Sequence, residues 1–199
     1  MSACSGCGLT HQCLCAAIPR LSSELHLSLL THENEFLRET NTGQWLVKAL
    51  PHCTTFTWRR TSPPRALLQR IADPNYHSVL VYPSAQSLPV AQPLQNAKIK
   101  GKKMHFILLD GTWQEAKKML RKSPWLTIPH VYITTPNESC YQLRRHQQNG
   151  HLCTLEVGAA LLDSLNEAEN AQRLNHFLNR FMRTLQADKS GHALVDYLA

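Results

Sequence analysis

Apolar Leu25, Leu27 and Leu29 alternate with polar neighbours, a two-residue period that predicts a first strand. A polar stretch over 32–43 follows, and then Trp45, Leu46, Ala49 and Leu50 at helical spacing. Pro51 has no N–H with which to continue that helix. Residues 53–58 are rich in threonine and aromatics and predict a second strand. Pro63 and Pro64 open a helix through Ala66, Leu67, Leu68 and Ile71, proline being tolerated in a first turn. The apolar run 79–82 predicts a strand stopped at Pro83-Ser84. Residues 85–103, punctuated by Pro89, Pro93 and Gly101, are expected to form a loop.

Farther along, 106–109 is a short buried strand, followed after a tight turn by an amphipathic helix with Trp113, Ala116 and Leu120 on one face. Thr112 and Glu115 have capping-box spacing, so the helix is expected to start at Thr112. Residues 128–134 predict another strand, with Val131 and Ile133 inward. Thr154 is the expected N-cap of a helix carrying Val157, Leu161, Leu162 and Leu165. A final helix carries Leu174, Phe177, Leu178, Phe181, Met182 and Leu185. Strands alternating with helices imply an α/β fold: a mainly parallel sheet flanked by helices on both faces.

Composition adds a compartment and a partner class. Four of the seven cysteines, Cys4, Cys7, Cys13 and Cys15, lie within the first fifteen residues. Four thiolates suit tetrahedral zinc with no position left for water, a structural site, and metal binding would supply the folding free energy of so short a knuckle. Redox-active thiols and an iron–sulfur cluster are the other readings of the same spacing. Cys53, Cys140 and Cys153, far apart in sequence, are expected to be small buried residues. The chain meets these cysteines directly after Met1-Ser2-Ala3, with no charged and apolar leader, so a cytoplasmic protein is expected. No segment approaches the roughly 18 consecutive apolar residues of a membrane span. The formal charge of +7, about +5 once one zinc with four thiolates is counted, favours a polyanionic partner. The basic candidates are Arg59 and Arg60, Lys98 to Lys103, Lys117, Lys118, Arg121, Lys122, and Arg144 with Arg145; any one run by itself is an ordinary solvated surface.

Asp110 ends a predicted parallel strand and stands beside a helix N-terminus, which is where open α/β sheets bind ligands. A simple capping role for this carboxylate is the alternative.

Asp110-Gly111-Thr112-Trp113 resembles the signature of the DTW-domain family of tRNA-uridine aminocarboxypropyltransferases. The cysteine cluster agrees with it, as do His32-x-x-Glu35 with Arg38, Thr40-Asn41-Thr42-Gly43 and Tyr82-Pro83-Ser84. Ser139-x-Tyr141-x-Leu143-Arg144 and Cys153-Thr154-x-Glu156 complete the set in the same order, across residues 4–165. The resemblance implies a catalytic unit over 21–190 behind a zinc knuckle at 1–20. It also implies kinship with SPOUT-type RNA-modifying enzymes, whose sheet carries a trefoil knot.

The implied reaction moves the 3-amino-3-carboxypropyl group of S-adenosylmethionine to N3 of a uridine in tRNA, in the variable loop at position 47, and releases 5′-methylthioadenosine. Asp110 would be the base or would orient the uracil. Pro83, Ser84, Leu109, Gly111, Thr112, Trp113, Thr154 and Glu156 would line the cofactor, with Thr154 equally readable as a plain cap. Arg38, Asn41, Lys117, Lys118, Arg144 and Arg145 would meet RNA, and Cys4, Cys7, Cys13 and Cys15 would hold zinc. The rivals are a SPOUT-like methyltransferase, an rRNA aminocarboxypropyltransferase, and a non-catalytic zinc-containing RNA-binding protein.

Overall fold

In the computed structural model, which describes residues 2–134, 139–141, 143 and 152–194, the chain alternates strands and helices almost from end to end. The first half runs β1 (His26–Thr31), α1 (Gly43–Ala49), β2 (Cys53–Thr57), α2 (Arg65–Ala72), β3 (Tyr76–Val81), β4 (Leu88–Pro89) and α3 (Ala91–Ile99). The second runs β5 (Lys103–Asp110), α4 (Trp113–Arg121), β6 (His130–Tyr132), α5 (Thr154–Ser164) and α6 (Ala168–Lys189). The strands form one sheet in the order β2-β1-β5-β3-β6-β4, and every pairing is parallel.

Alternate residues of the central strands feed two cores. Leu27, Leu29, Val79, Phe106 and Leu108 face α1, α3, α5 and α6, whereas Leu30, Leu80 and Ile107 face α2 and α4. The helices crossing toward the β2 edge, α1 and α3, lie on the first face. Those crossing toward the β4 edge, α2 and α4, lie on the second, so these crossovers share one hand. With both faces covered, all six residues of β1 are buried. The trefoil knot implied by the resemblance is not established by this strand order, and the connection from β6 to α5 lies partly outside the described residues.

Several local expectations need correction. The stretch expected to be a loop over 85–103 contains β4 and α3. Pro93 sits in the first turn of α3, where its missing N–H is harmless, and buried Val90 and Ala97 with half-buried Leu94 supply a helical stripe against the core. Gly101, at φ +61°, ends the segment. Next, Cys153 rather than Thr154 caps α5, leaving the Thr154 hydroxyl free for another partner. Finally, Cys140 is exposed, and Cys53 and Cys153 are only half-buried. On α4 the inward residues are Ala116 and Met119, with Trp113 and Leu120 half-buried.

A polar layer crosses the middle of the sheet. His105 is fully buried, and its ring nitrogens meet the Ser28 hydroxyl at 2.7 Å and the Ser78 hydroxyl at 2.9 Å. Burial lowers its pKa to about 4, so the imidazole is neutral at physiological pH. Among the described residues no helix is long and apolar enough to cross a membrane.

Candidate active site

Because the strands are parallel, their carboxyl ends share one edge. After β1 the chain leaves for β2, and after β5 it leaves for β6 on the other side. The crevice between β1 and β5 is therefore the topological switch point, the usual ligand site of an open α/β sheet. Asp110, the last residue of β5, lies there opposite Thr31, the last of β1.

Asp110 is 2 % exposed and, among the described residues, its carboxylate has no cationic partner, only three neutral donors. Thr154 donates to Oδ1 at 2.7 Å, while Thr31 at 3.1 Å and Asn41 at 3.4 Å donate to Oδ2. A carboxylate offers about four acceptor positions, so among the described residues one on Oδ1 is left. Burial raises the Asp110 pKa above the ordinary carboxylate value; the Thr154 bond opposes this, the Glu35 charge adds to it, and the Thr31 and Asn41 bonds oppose it. Gly43 makes the arrangement possible, since a Cβ there would stand 2.7 Å from Oδ2. Nearby, the start of α5 is locked to α1: Leu155 N–H donates to the Thr42 hydroxyl at 3.3 Å, and Gly158 lets Leu46 approach.

Asp110 lies in a cleft of about 150 Å³, walled by Thr31 and Thr55 from the sheet. The other wall comes from the segment after β1, with Phe36, Arg38, Asn41 and Gln44. That segment is held from behind by Glu115, which completes a capping box with Thr112 as expected. Arg38 reaches Glu115 with two nitrogens at 2.7 and 2.9 Å and also binds Glu35. Asn34 donates to Glu115 at 3.0 Å and the Thr112 N–H at 2.8 Å. Burial by itself would raise the Glu115 pKa, but these bonds, Arg38 foremost, hold it far below the usual carboxylate range. His32 is structural here, its Nδ1 accepting from Asn34 N–H at 3.3 Å and its ring stacked on Trp58.

The other expected site residues fall in separate places. Leu109 precedes Asp110, and Gly111 and Thr112 form the turn after it. Trp113 is half-buried with its ring 6.3 Å from that of Tyr82, which precedes exposed Pro83 and Ser84. Glu156 is buried and ties the chain around it, accepting from Ser139 Oγ, Cys140 N–H and Cys153 N–H at 2.7 to 2.8 Å. Arg38 and Asn41, expected at RNA, are drawn into the carboxylate network described above. Lys117 and Lys118 are exposed on α4, and Arg144 and Arg145 lie outside the described residues. Sequence reasoning missed Thr31, Phe36, Gln44 and Thr55, for which no motif or spacing offered a signal.

The four N-terminal cysteines converge as expected. Their sulfurs lie within 4.8 Å of one another, with separations of 3.5 Å for Cys4–Cys13, 3.8 Å for Cys4–Cys15 and 4.0 Å for Cys7–Cys13. These are far longer than a disulfide of about 2.05 Å. They match the ~3.8 Å edge of a thiolate tetrahedron around zinc at about 2.3 Å. The cluster can hold one metal ion. Gly6 leaves room for the Cys15 sulfur, which a Cβ would approach to 2.6 Å. The knuckle is docked on the body: Leu9 and Leu14 join the main core, and Asp188 of α6 accepts from the Thr10 and His11 N–H groups.

Comparison with known proteins gives the family of the chain. The DTW domain family matches residues 1–186. A mouse protein named tRNA-uridine aminocarboxypropyltransferase 2 is 28% identical over 180 residues, covering 88% of this chain and 58% of its own length. A Drosophila melanogaster protein of the same name is 31% identical over 182 residues, covering 87% of this chain and 68% of its own length. A Macaca fascicularis protein of that name is 27% identical over 190 residues, covering 92% of this chain and 61% of its own length. The chain thus spans about three fifths of the mouse and macaque relatives. No solved structure matches it.

Proposed function

Since the chain belongs to the DTW-domain family, we propose that it transfers the 3-amino-3-carboxypropyl group of S-adenosylmethionine to N3 of a uridine in the variable loop of a tRNA, at position 47, in the cytoplasm. The observation that carries the reading is Asp110: a buried carboxylate of raised pKa at the switch point, with one acceptor position left beside a cleft. A carboxyl of raised pKa is a stronger base than an exposed one, and N3–H of uracil is a weak acid that needs a positioned base. Asp110 takes that proton, N3 forms the new bond to the methionyl γ-carbon, and the carbon–sulfur bond breaks to release 5′-methylthioadenosine. The donor supplies a sulfonium, already a good leaving group, so the protein's contribution is to present one carbon of the three and shield the others.

Thr154 and Thr31 hold the carboxylate in place from opposite sides. Pro83, Ser84, Leu109, Gly111, Thr112 and Trp113 would bound the donor, with Glu156 keeping the Ser139–Cys140 segment on α5. Lys117 and Lys118 are suited to phosphate contacts, as are Arg144 and Arg145 by charge. Zinc in the knuckle would be structural, its four thiolates leaving no open position.

The test is a product assay with tRNA and S-adenosylmethionine. Methylthioadenosine, together with aminocarboxypropyluridine in the digested tRNA, is the expected result. S-adenosylhomocysteine would mean methyl transfer, modified rRNA with unmodified tRNA would move the substrate, and no turnover with retained RNA binding would leave a binding module.

A further inference from the structure

We infer that the cleft between Asp110 and Phe36 is the subsite for the acceptor base, an extruded pyrimidine presenting a uracil-type edge, with Phe36 as its stacking platform. This rests on the proposed transfer and assigns the two sides of Asp110: the acceptor enters on the β1–β2 side, opposite the Tyr82–Trp113 side expected to bound the donor.

Phe36 is 54 % exposed and Leu37 beside it 89 %, although both belong to a tightly anchored 3-10 turn, Glu33–Leu37. Glu35 in the same turn is buried, and Arg38 at its end is clamped by Glu35 and Glu115. The exposure is therefore a property of a rigid platform. An aromatic face held at the rim of a polar cleft suits a nucleobase, because every base has a π-face and stacking needs no directional match.

The hydrogen-bonding pattern below the rim narrows the choice of base. Uracil presents O2, N3–H and O4 in sequence: acceptor, donor, acceptor. The remaining position on Asp110 Oδ1 accepts, which fits N3–H. Donors line the same cleft: among the described residues the Thr55 hydroxyl has no partner, and the Gln44 amide uses only one of its two N–H groups, toward Asn41 O. Arg38 likewise has N–H groups beyond those bound to Glu35 and Glu115. Cytosine would put its N3 lone pair against the carboxylate and an amine where a carbonyl is needed. A base paired in a duplex cannot offer this edge, so the substrate nucleotide must be single-stranded or extruded.

The experiment measures transfer to tRNA by wild type, Phe36→Ala, Phe36→Leu and Phe36→Tyr, with S-adenosylmethionine affinity measured separately by calorimetry. Phe36→Ala and Phe36→Leu are expected to lose roughly ten- to hundred-fold in kcat/KM for tRNA, while Phe36→Tyr keeps the aromatic face and most of the activity. Affinity for S-adenosylmethionine should be unchanged in all three. Full activity in Phe36→Ala overturns the assignment, and so does a parallel loss of S-adenosylmethionine affinity, which would make the cleft the donor's. A wild type that releases no methylthioadenosine fails the underlying reading instead, and the two failures are distinct.

Discussion

Two carboxylates five positions apart on one strand–turn–helix segment have opposite surroundings. Asp110 ends the strand inside the protein, with neutral donors and, among the described residues, no cation bonded to it, and burial pushes its pKa up. Glu115 lies one helical turn into α4, where a helix N-terminus, a bidentate arginine and Asn34 hold its pKa down. Pairs of groups whose environments drive their pKa values apart mark a division of labour. On the proposed function Asp110 is the group that exchanges a proton, whereas Glu115 is an anion that anchors the wall of the cleft.

Replacing Asp110 should give the largest effect. Asp110→Asn keeps the shape and removes the proposed base, so kcat should fall by about 10²- to 10⁴-fold with no drop in the thermal midpoint at neutral pH. Retained turnover would erase the distinction between the two carboxylates. Gly43→Ala comes next, because its Cβ would press on the Asp110 carboxylate at 2.7 to 2.9 Å. A displaced base should lower kcat by up to about 10²-fold, with overpacking reducing stability by about 1–3 kcal/mol. Wild-type kinetics in this variant would show that Asp110 does not need its observed position.

The smallest effect on turnover should come from Glu115→Gln, seen mainly in stability. A group with a lowered folded pKa stabilises fully above its unfolded value, near 4.5, and loses that contribution as pH falls below it. The difference between wild type and Glu115→Gln in chemical denaturation should therefore be largest at neutral pH and shrink below about 4.5. Asp110 has the opposite sign: its raised pKa makes the charged form a burden at neutral pH that acid relieves. Parallel pH dependences for the Asp110→Asn and Glu115→Gln differences would refute the comparison.

Much of this was legible along the chain. Period two at 25–29, apolar runs at 79–82 and 106–109 and helical spacing farther on located the central strands and the long helices, since each pattern is local. The Thr112–Glu115 capping box and the cysteine cluster are local, so spacing alone identified them. The misreading of 85–103 came from counting Pro93 as a breaker without knowing that it would fall in a first turn, where it is harmless. Thr154 was misplaced by one residue as a cap, and that shift is what sends its hydroxyl to Asp110.

By itself the sequence determined an α/β chain, a four-thiol cluster and a carboxylate at a strand end, because each depends on neighbours within a few turns of backbone. Tertiary structure decided what that carboxylate is. Its donors come from residues 79, 69 and 44 positions away, and the arginine that settles Glu115 is 77 positions away. Burial and hydrogen bonding set a pKa, and both are properties of what the fold packs around a side chain, which no local spacing encodes.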